Sequence, residues 1–393
     1  MNVRNLGDLV SWMRDTGQFS SLANSNLTQF GTVNDRLLGA TIMPEVQETE
    51  NSSSDDGMAI EGEIGNSGAD YSPAQLSKAF GDFSFDYRLG KIDAATQLVG
   101  RDIEAIIQYL SKARPSTDPV GSSAGIINTW FDRGVSASLA KVIEHQRWQA
   151  IIDGVVKRRG ANGYTEDVAY PFPAGHTTVV AASGTLAAPA GWYSRDPVTA
   201  ADALEDLLAA KQRLADNGFT LNRIISRSTI RSVFMRNGKV RRNALPDGAT
   251  RSTTQADIDA LLRAHELPTW ETYDGVFKYR NPSNAKVLTS VGYLDRATFD
   301  PVILLASTTI EAQIDLGRDN GILTLPNTIG RYALGRPEGQ TEFGKVAKVI
   351  LHDEKYPPSI YAEVVAKGLP VVDARLLAFG NPISILRVPK PTA

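Results

Sequence analysis

The sequence of 393 residues contains no cysteine. That excludes disulfide bonds, thiolate zinc centres, iron–sulfur clusters and a cysteine nucleophile. Histidine is nearly as scarce, with four in the chain: His145, His176, His265 and His352. None stands at His-x-x-x-His spacing, so no pre-ordered metal site is expected, and no cofactor either. No run reaches the ~18 consecutive apolar residues of a membrane-spanning helix. No basic n-region precedes an apolar core near Met1, so neither a signal peptide nor a membrane partner is expected. A charge excess is missing too: 41 Lys+Arg against 44 Asp+Glu leave a formal net charge of −3. That balance excludes a protein that grips nucleic acid by bulk positive charge. What remains is an ordinary globular composition, 42% hydrophobic and 22% charged. At ~150 residues per domain the chain has room for two to three units.

Residues 1–40 read as an arm. Val3, Leu6, Val10 and Met13 recur at helical spacing, enough for one short amphipathic helix that must lie on something else. Residues 41–92 read as an extended β-hairpin with a wide polar tip. Phe83, Phe85, Tyr87 and Leu89 alternate with Ser84, Asp86, Arg88 and Gly90 on its returning strand. The segment carries Glu45, Glu48, Glu50, Asp55, Asp56, Glu61, Glu63 and Asp70, with no lysine before Lys78. A two-stranded ribbon is marginal alone in water. It is therefore expected to reach a neighbouring subunit, the alternative being a disordered acidic insertion.

Ile103, Ile106, Ile107 and Leu110 form a helical stripe that Pro115 and Pro119 end. A long helix is predicted over residues 136–154. Leu139, Val142, Ile143, Ala150 and Ile151 lie on or near one face, Lys141, Glu144, Gln146 and Arg147 lie elsewhere, and Gly154 closes it. Residues 164–195 read as β structure. Asp196-Pro197 predicts a helix start, with apolar positions continuing through Leu214. A short strand at 223–226 and a helix at 228–236 follow. Thr254 and Asp257 mark a further helix in the manner of a capping box. A hairpin is expected around Asp274-Gly275, a buried strand at 301–306, paired strands turning at Lys367-Gly368, and a last strand at 383–388. The class is α+β, and no repeat of 20–50 residues is present.

Gly121-Ser122-Ser123-Ala124-Gly125 matches Gly-x-Ser-x-Gly, but loop residues precede it where a nucleophile elbow needs a strand. A serine hydrolase using Ser123, flanked by Gly121 and Gly125, stays as an alternative function. Residues 330–335 have the Gly-x4-Gly spacing of a phosphate-binding loop but continue as Arg336-Pro337, without its lysine and hydroxyl. Asp55-Asp56-Gly57 and Asp319-Asn320-Gly321 read as turns rather than calcium loops. No catalytic residue is assigned. A basic cluster stands out: Arg223, Arg227, Arg231, Arg236, Lys239, Arg241 and Arg242. It suits contact with an acidic surface of another subunit, the alternatives being a nucleic-acid-binding module or a solvated face.

The order of arm, long hairpin, long helix ending in Gly-Val, β region and mixed α/β region resembles the major capsid protein of tailed bacteriophages, the fold named after phage Hong Kong ninety-seven. The lambda-type group is the most similar. Four stretches carry the resemblance: residues 135–156 (VSASLAKVIEHQRWQAIIDGVV), 191–197 (GWYSRDP), 217–226 (NGFTLNRIIS) and 369–372 (LPVV). It implies an N-terminal arm (1–40), an extended loop (41–92) and a peripheral domain (93–196) holding a spine helix at about 135–154. An axial domain (197–355) and a return to the peripheral domain (356–393) complete it. It further implies hexamers and pentamers closing an icosahedral shell around double-stranded DNA, in virions assembled in a host cytoplasm. Expected partners are other copies of the chain, a scaffold, a portal, decoration proteins and weakly held packaged DNA. A lysine supplied from the loop tip for a Lys–Asn cross-link is excluded, because none lies between Met1 and Ser77.

Overall fold

The structure is a computed structural model that describes residue 15 and residues 37–48, 52–60, 80–99, 130–159, 165–173, 175–245, 251–281, 284–316, 319–341, 343–352 and 359–392. The expected helical stripes at 3–13 and 103–110 and the motif around Ser123 lie outside the described residues.

Two five-stranded sheets share one helix. The first is built on Ser359–Val372, a 14-residue strand. Gly90–Val99 pairs with it antiparallel, as does Lys345–His352. Its last residues pair antiparallel with Gly330–Gly335, whose other edge takes the short parallel strand Glu45–Gln47. The turn expected at Lys367-Gly368 is therefore absent, and one strand runs through it. Gly368 is needed there because a Cβ would fall 2.5 Å from the Tyr332 ring.

The second sheet has the order Thr177–Val179, Ile383–Pro389, Phe299–Ala306, Leu221–Ser226, Trp270–Thr272. Its three central strands are buried on both faces, and period-two alternation sorts their side chains. Ile224, Val302, Leu304, Leu386 and Val388 point into a core shared with the helices Ala203–Asp216, Ser228–Arg236, Gly238–Ala244 and Gln255–Ala264. Ile225, Ile303, Leu305, Ile383 and Ile385 point the other way, onto the C-terminal half of the spine helix.

The spine helix is Ala137–Asp153, entered through a π-helical turn at Asp132–Ser136 and ended by Gly154 at φ 64°. Phe131, Val135, Leu139 and Ile143 pack on the first sheet, against Ile360, Ala362 and Val364. Trp148, Ile151 and Ile152 pack on the second. Covered by both sheets, the helix also buries residues the sequence reading placed on its polar side. Glu144, Gln146 and Arg147 are all buried, whereas Val142, read as apolar-facing, is exposed.

Other expectations are corrected locally. The helix begins at Ala203 with Asp202 as N-cap; the Asp196 carboxylate instead accepts bonds from the Val198 amide and the Thr199 hydroxyl, closing a turn. The hairpin expected around Asp274-Gly275 does not form, since Trp270–Thr272 joins Leu221–Ser226 in parallel and Val276–Asn281 pairs with Asn284–Gly292. Asp319 opens the strand Asp319–Pro326 rather than a turn, and Gly330–Gly335 is a strand rather than a loop. Gly330–Gly335 and Lys345–His352, grouped with residues 197–355, belong to the sheet of Gly90–Val99. Ile383–Pro389, grouped with that sheet's late strands, lies instead beside Phe299–Ala306. The capping box is present as expected, with the Thr254 hydroxyl accepting from the Asp257 amide and the Asp257 carboxylate accepting from the Thr254 amide.

Candidate functional site

Residues 52–60 and 80–88 form an antiparallel ladder with Ser52 opposite Arg88 and Ile60 opposite Phe80. The ladder runs beside the short helix Ala374–Phe379 of its own chain. Its root is where sequence chemistry concentrates, because four buried or half-buried cations hold the two ends of the ribbon to the body.

Arg331, on the first sheet, reaches both ends at once. Its Nε donates to Glu48 Oε1 at 2.7 Å, and its Nη2 to the Tyr87 hydroxyl at 3.4 Å. Arg158 holds the return. It donates to the backbone carbonyls of Arg88 (3.4 Å) and Gly368 (3.2 Å) and pairs with Glu166 at 2.8 Å. Gly90 makes room for it, since a Cβ there would meet the Arg158 guanidinium at 2.2 Å. A guanidinium with five fixed donors suits this bridging, where an ammonium would offer a point charge.

The outgoing end is held by the spine helix. Glu144 is fully buried. It accepts from the Gly39 amide at 2.7 Å, the Trp148 indole at 2.7 Å and the Tyr273 hydroxyl at 2.9 Å. Arg147, one turn on, lies 3.4 Å from Glu144 and 3.5 Å from Glu45. Lys345 from the first sheet completes the group at 2.7 Å from Glu45. Tyr332, on the strand Gly330–Gly335, donates to Gln146 at 2.5 Å, and the Arg147 guanidinium lies over its ring, 5.2 Å from the centroid. Two acids and two bases thus close a balanced network, the condition under which buried charge is tolerated. Burial alone would raise the Glu45 carboxyl, but Lys345 and Arg147 outweigh it and hold it below the usual carboxylate range. Burial, and then the Glu144 charge, push the Tyr273 hydroxyl far up, so it stays protonated as a donor.

Glu45 and Glu48, read from sequence as charges of an acidic loop, are therefore spent on the body at the ribbon's root. The side chains of Asp55 and Asp56 and the acids at 50, 61, 63 and 70 lie outside the described residues. Sequence reasoning missed Glu144, Arg147, Arg158, Arg331 and Lys345. The available signal was four of them standing inside apolar or β-forming runs, where a charge must find a partner.

The basic cluster divides. Arg223 makes a bidentate pair with Glu271, at 2.9 and 2.7 Å. Arg227 lies 3.1 Å from Asp295 and 3.5 Å from Asp300, which Lys390 also faces. These two arginines pair with acids of their own chain, and Arg227 stands at the N-cap position of the helix Ser228–Arg236, without a side-chain capping bond, rather than sharing a face with Arg231. Arg236 and Arg241, with Arg195, line an open crevice of about 540 Å³. Among the described residues no group of three or more metal-ligating side chains assembles.

No protein-family model matches the chain, and no curated protein matches it. Solved structures do. A phage-related protein from Bordetella bronchiseptica aligns with a TM-score of 0.47 at 14% identity, over 94% of this chain and 95% of its own. The capsid of Myoviridae phage XM1 gives 0.44 at 10% identity, over 93% and 95%. A putative capsid protein of an Escherichia coli prophage superposes with a TM-score of 0.52 at 11% identity, over 95% of this chain and 98% of its own. That last likeness carries the architecture: the chain has the α+β fold of a prophage capsid protein, the tailed-phage major capsid fold expected from its sequence.

Proposed function

We propose that this chain is a major capsid protein of a tailed bacteriophage, building hexamers and pentamers that close an icosahedral shell around double-stranded DNA. The observation that carries the reading is the fold shared nearly end to end with a prophage capsid protein. The ribbon root supports it, since four cations and a buried carboxylate fix the direction in which a two-stranded ribbon leaves the body. In this reading the spine helix with the first sheet is the peripheral domain, and the helix layer of the second sheet is the axial domain. The ribbon lies partly along Ala374–Phe379 of its own chain and covers its remaining surface on a neighbour. Interfaces on the order of 2,000 Å² per contact are expected of such an obligate assembly. The role is mechanical, without catalysis, in a virion put together in a host cytoplasm. A scaffold, a portal, decoration proteins and weakly held DNA are its expected partners.

The test is deletion of residues 50–72. The shortened chain should fold, by circular dichroism, and assemble poorly, by sedimentation. Assembly at the wild-type yield would remove the ribbon from the account. A monomer with hydrolase activity abolished by Ser123→Ala would replace the shell by an enzyme.

A further inference from the structure

Residues 228–246 carry Arg231, Arg236, Lys239, Arg241 and Arg242 and no acid. The fold gathers Arg236 and Arg241, with Arg195 from the loop before Ala203–Asp216, around the crevice of about 540 Å³ in the helix layer of the second sheet. Ser232 and Ser252 add to its polar lining, and no carboxylate is among its described lining residues. The volume lies within the ~300–1,000 Å³ of small-molecule sites.

The cations are left facing the crevice. Two acids close by in sequence are committed elsewhere. Asp196 accepts from the Val198 amide and the Thr199 hydroxyl, and Asp257 accepts from both terminal amines of Arg251, at 2.7 and 2.8 Å. Among the described residues Arg195 and Arg236 make no ion pair. Arg236 is aimed by its Nε, which donates to the Ser232 carbonyl at 3.0 Å and leaves its terminal amines for a ligand.

The arrangement is held from behind. Asn237, fully buried, donates to the carbonyls of Trp192 and Ala201. The Gly238 amide donates to the Ser194 carbonyl at 3.1 Å, and a Cβ on Gly238 would fall 2.5 Å from the backbone at Asp196 and Pro197. These contacts fix the loop bearing Arg195 against the helices bearing Arg236 and Arg241.

Guanidinium forks and hydroxyls in a cleft of one sign suit phosphate oxygens, which accept two parallel bonds from each fork. A second hollow of about 410 Å³ adjoins, lined by Leu186, Pro189, Tyr193 and Val233, and shares Arg195 and Arg236 with the first. Leu186 there is 71% exposed. A ligand filling both hollows carries clustered phosphates at one end and a flat, largely apolar group at the other. A nucleic-acid duplex strings its phosphates along a backbone and stacks its bases inside. It would use the cations and leave the Leu186–Tyr193 hollow idle.

We infer that the crevice binds a nucleoside polyphosphate, with its phosphates on Arg195, Arg236 and Arg241 and its base in the hollow at Leu186, Pro189 and Tyr193. The inference stands apart from the shell reading, since a single chain supplies every residue it uses.

Calorimetric titration of ATP into the purified full-length protein, at about 0.15 M salt, tests it. Affinity should fall by at least about tenfold in Arg195→Ala with Arg236→Ala, the loss of one or more charge-assisted hydrogen bonds, with circular dichroism and Tm as in wild type. Should that variant misfold, Arg195→Gln with Arg236→Gln, which keeps long polar side chains, should show the same loss. Leu186→Ser should weaken ATP about threefold and leave inorganic triphosphate bound as in wild type. Absence of ATP binding to the wild-type protein at millimolar concentration overturns the inference. Equal affinity in wild type and the folded arginine variants overturns it too, as does a double-stranded DNA oligonucleotide held in the crevice that ATP cannot displace. ATP binding by a protein that stays monomeric would uphold the crevice's ligand while sinking the shell.

Discussion

Two regions packed around the spine helix use opposite strategies. At the second sheet, strand after strand alternates aliphatic residues between two cores, and the polar atoms are left to the backbone ladders. At the outgoing end of the ribbon, Glu144, Arg147, Glu45, Lys345 and Gln146 are brought together at the helix surface. Burying such a group confers little net stability over an apolar packing of the same volume. What it confers is direction, because a hydrogen-bonded charge tolerates one geometry where greasy surface tolerates many. The apolar region makes the molecule cohere, and the polar region determines where an extended segment departs from it.

Glu144→Ala should separate the two strategies most sharply. It leaves Arg147 buried without its nearest acid and orphans the Gly39 amide. A loss of about 3–5 kcal/mol is expected by denaturant unfolding. Leu304→Ala, in the apolar region, should cost about 2–5 kcal/mol through cavity formation, without altering the ribbon's susceptibility to protease. Glu144→Ala should increase that susceptibility around residues 37–48. Similar proteolysis in both variants would break the distinction.

Acid should strain the spine-helix junction in a defined window. His176 stacks on Phe172 with ring centroids 4.0 Å apart, and its Nε2 lies 2.9 Å from the Ile151 carbonyl. Burial lowers its pKa from 6.5 to about 4, against the smaller opposing effects of Ile151 and Asn381. His145 is lowered to about 4 as well, by burial and then by Arg296. The folded state then binds fewer protons than the unfolded chain between these values. Their stabilisation is complete above about pH 6.5 and is lost as pH falls toward 4, by up to roughly 3 kcal/mol for each histidine. Unfolding as a function of pH should show that slope, and His176→Phe should remove part of it.

Gly39→Ala is a smaller probe of the polar region. Its Cβ would lie 2.8 Å from Glu144 Oε2, on a carboxylate whose Oε1 is held by three hydrogen bonds. A loss of about 1–3 kcal/mol is expected. Thr254→Ala, which removes one half of an exposed cap, should cost about 1 kcal/mol and leave assembly untouched.

What the sequence made legible was local. Helix-starting chemistry at Thr254 and Asp257, the glycine after Asp153, and the aliphatic run at 301–306 each carry their own signal within a few residues. What escaped depends on partners far along the chain. Glu144 reads as a solvent-facing residue until Gly39, 105 positions away, and Tyr273, 129 positions away, are placed beside it. Lys367-Gly368 reads as a turn until Tyr332 is seen to occupy the space a side chain would need. Asp196-Pro197 carries a sound helix-start signal, but the Asp196 carboxylate closes a local turn first, and Asp202 takes over the cap. Of the basic cluster, the sequence could not show that Arg223 and Arg227 are committed to Glu271, Asp295 and Asp300, because those acids come from other strands and loops.

The account's central claim, that this chain assembles with copies of itself, is tested most directly by sedimentation velocity of the purified full-length protein together with negative-stain imaging of the same sample. Capsomers or closed particles far larger than a single 42.5 kDa chain are the expected result. A compact monomer that persists as the concentration is raised would contradict the claim.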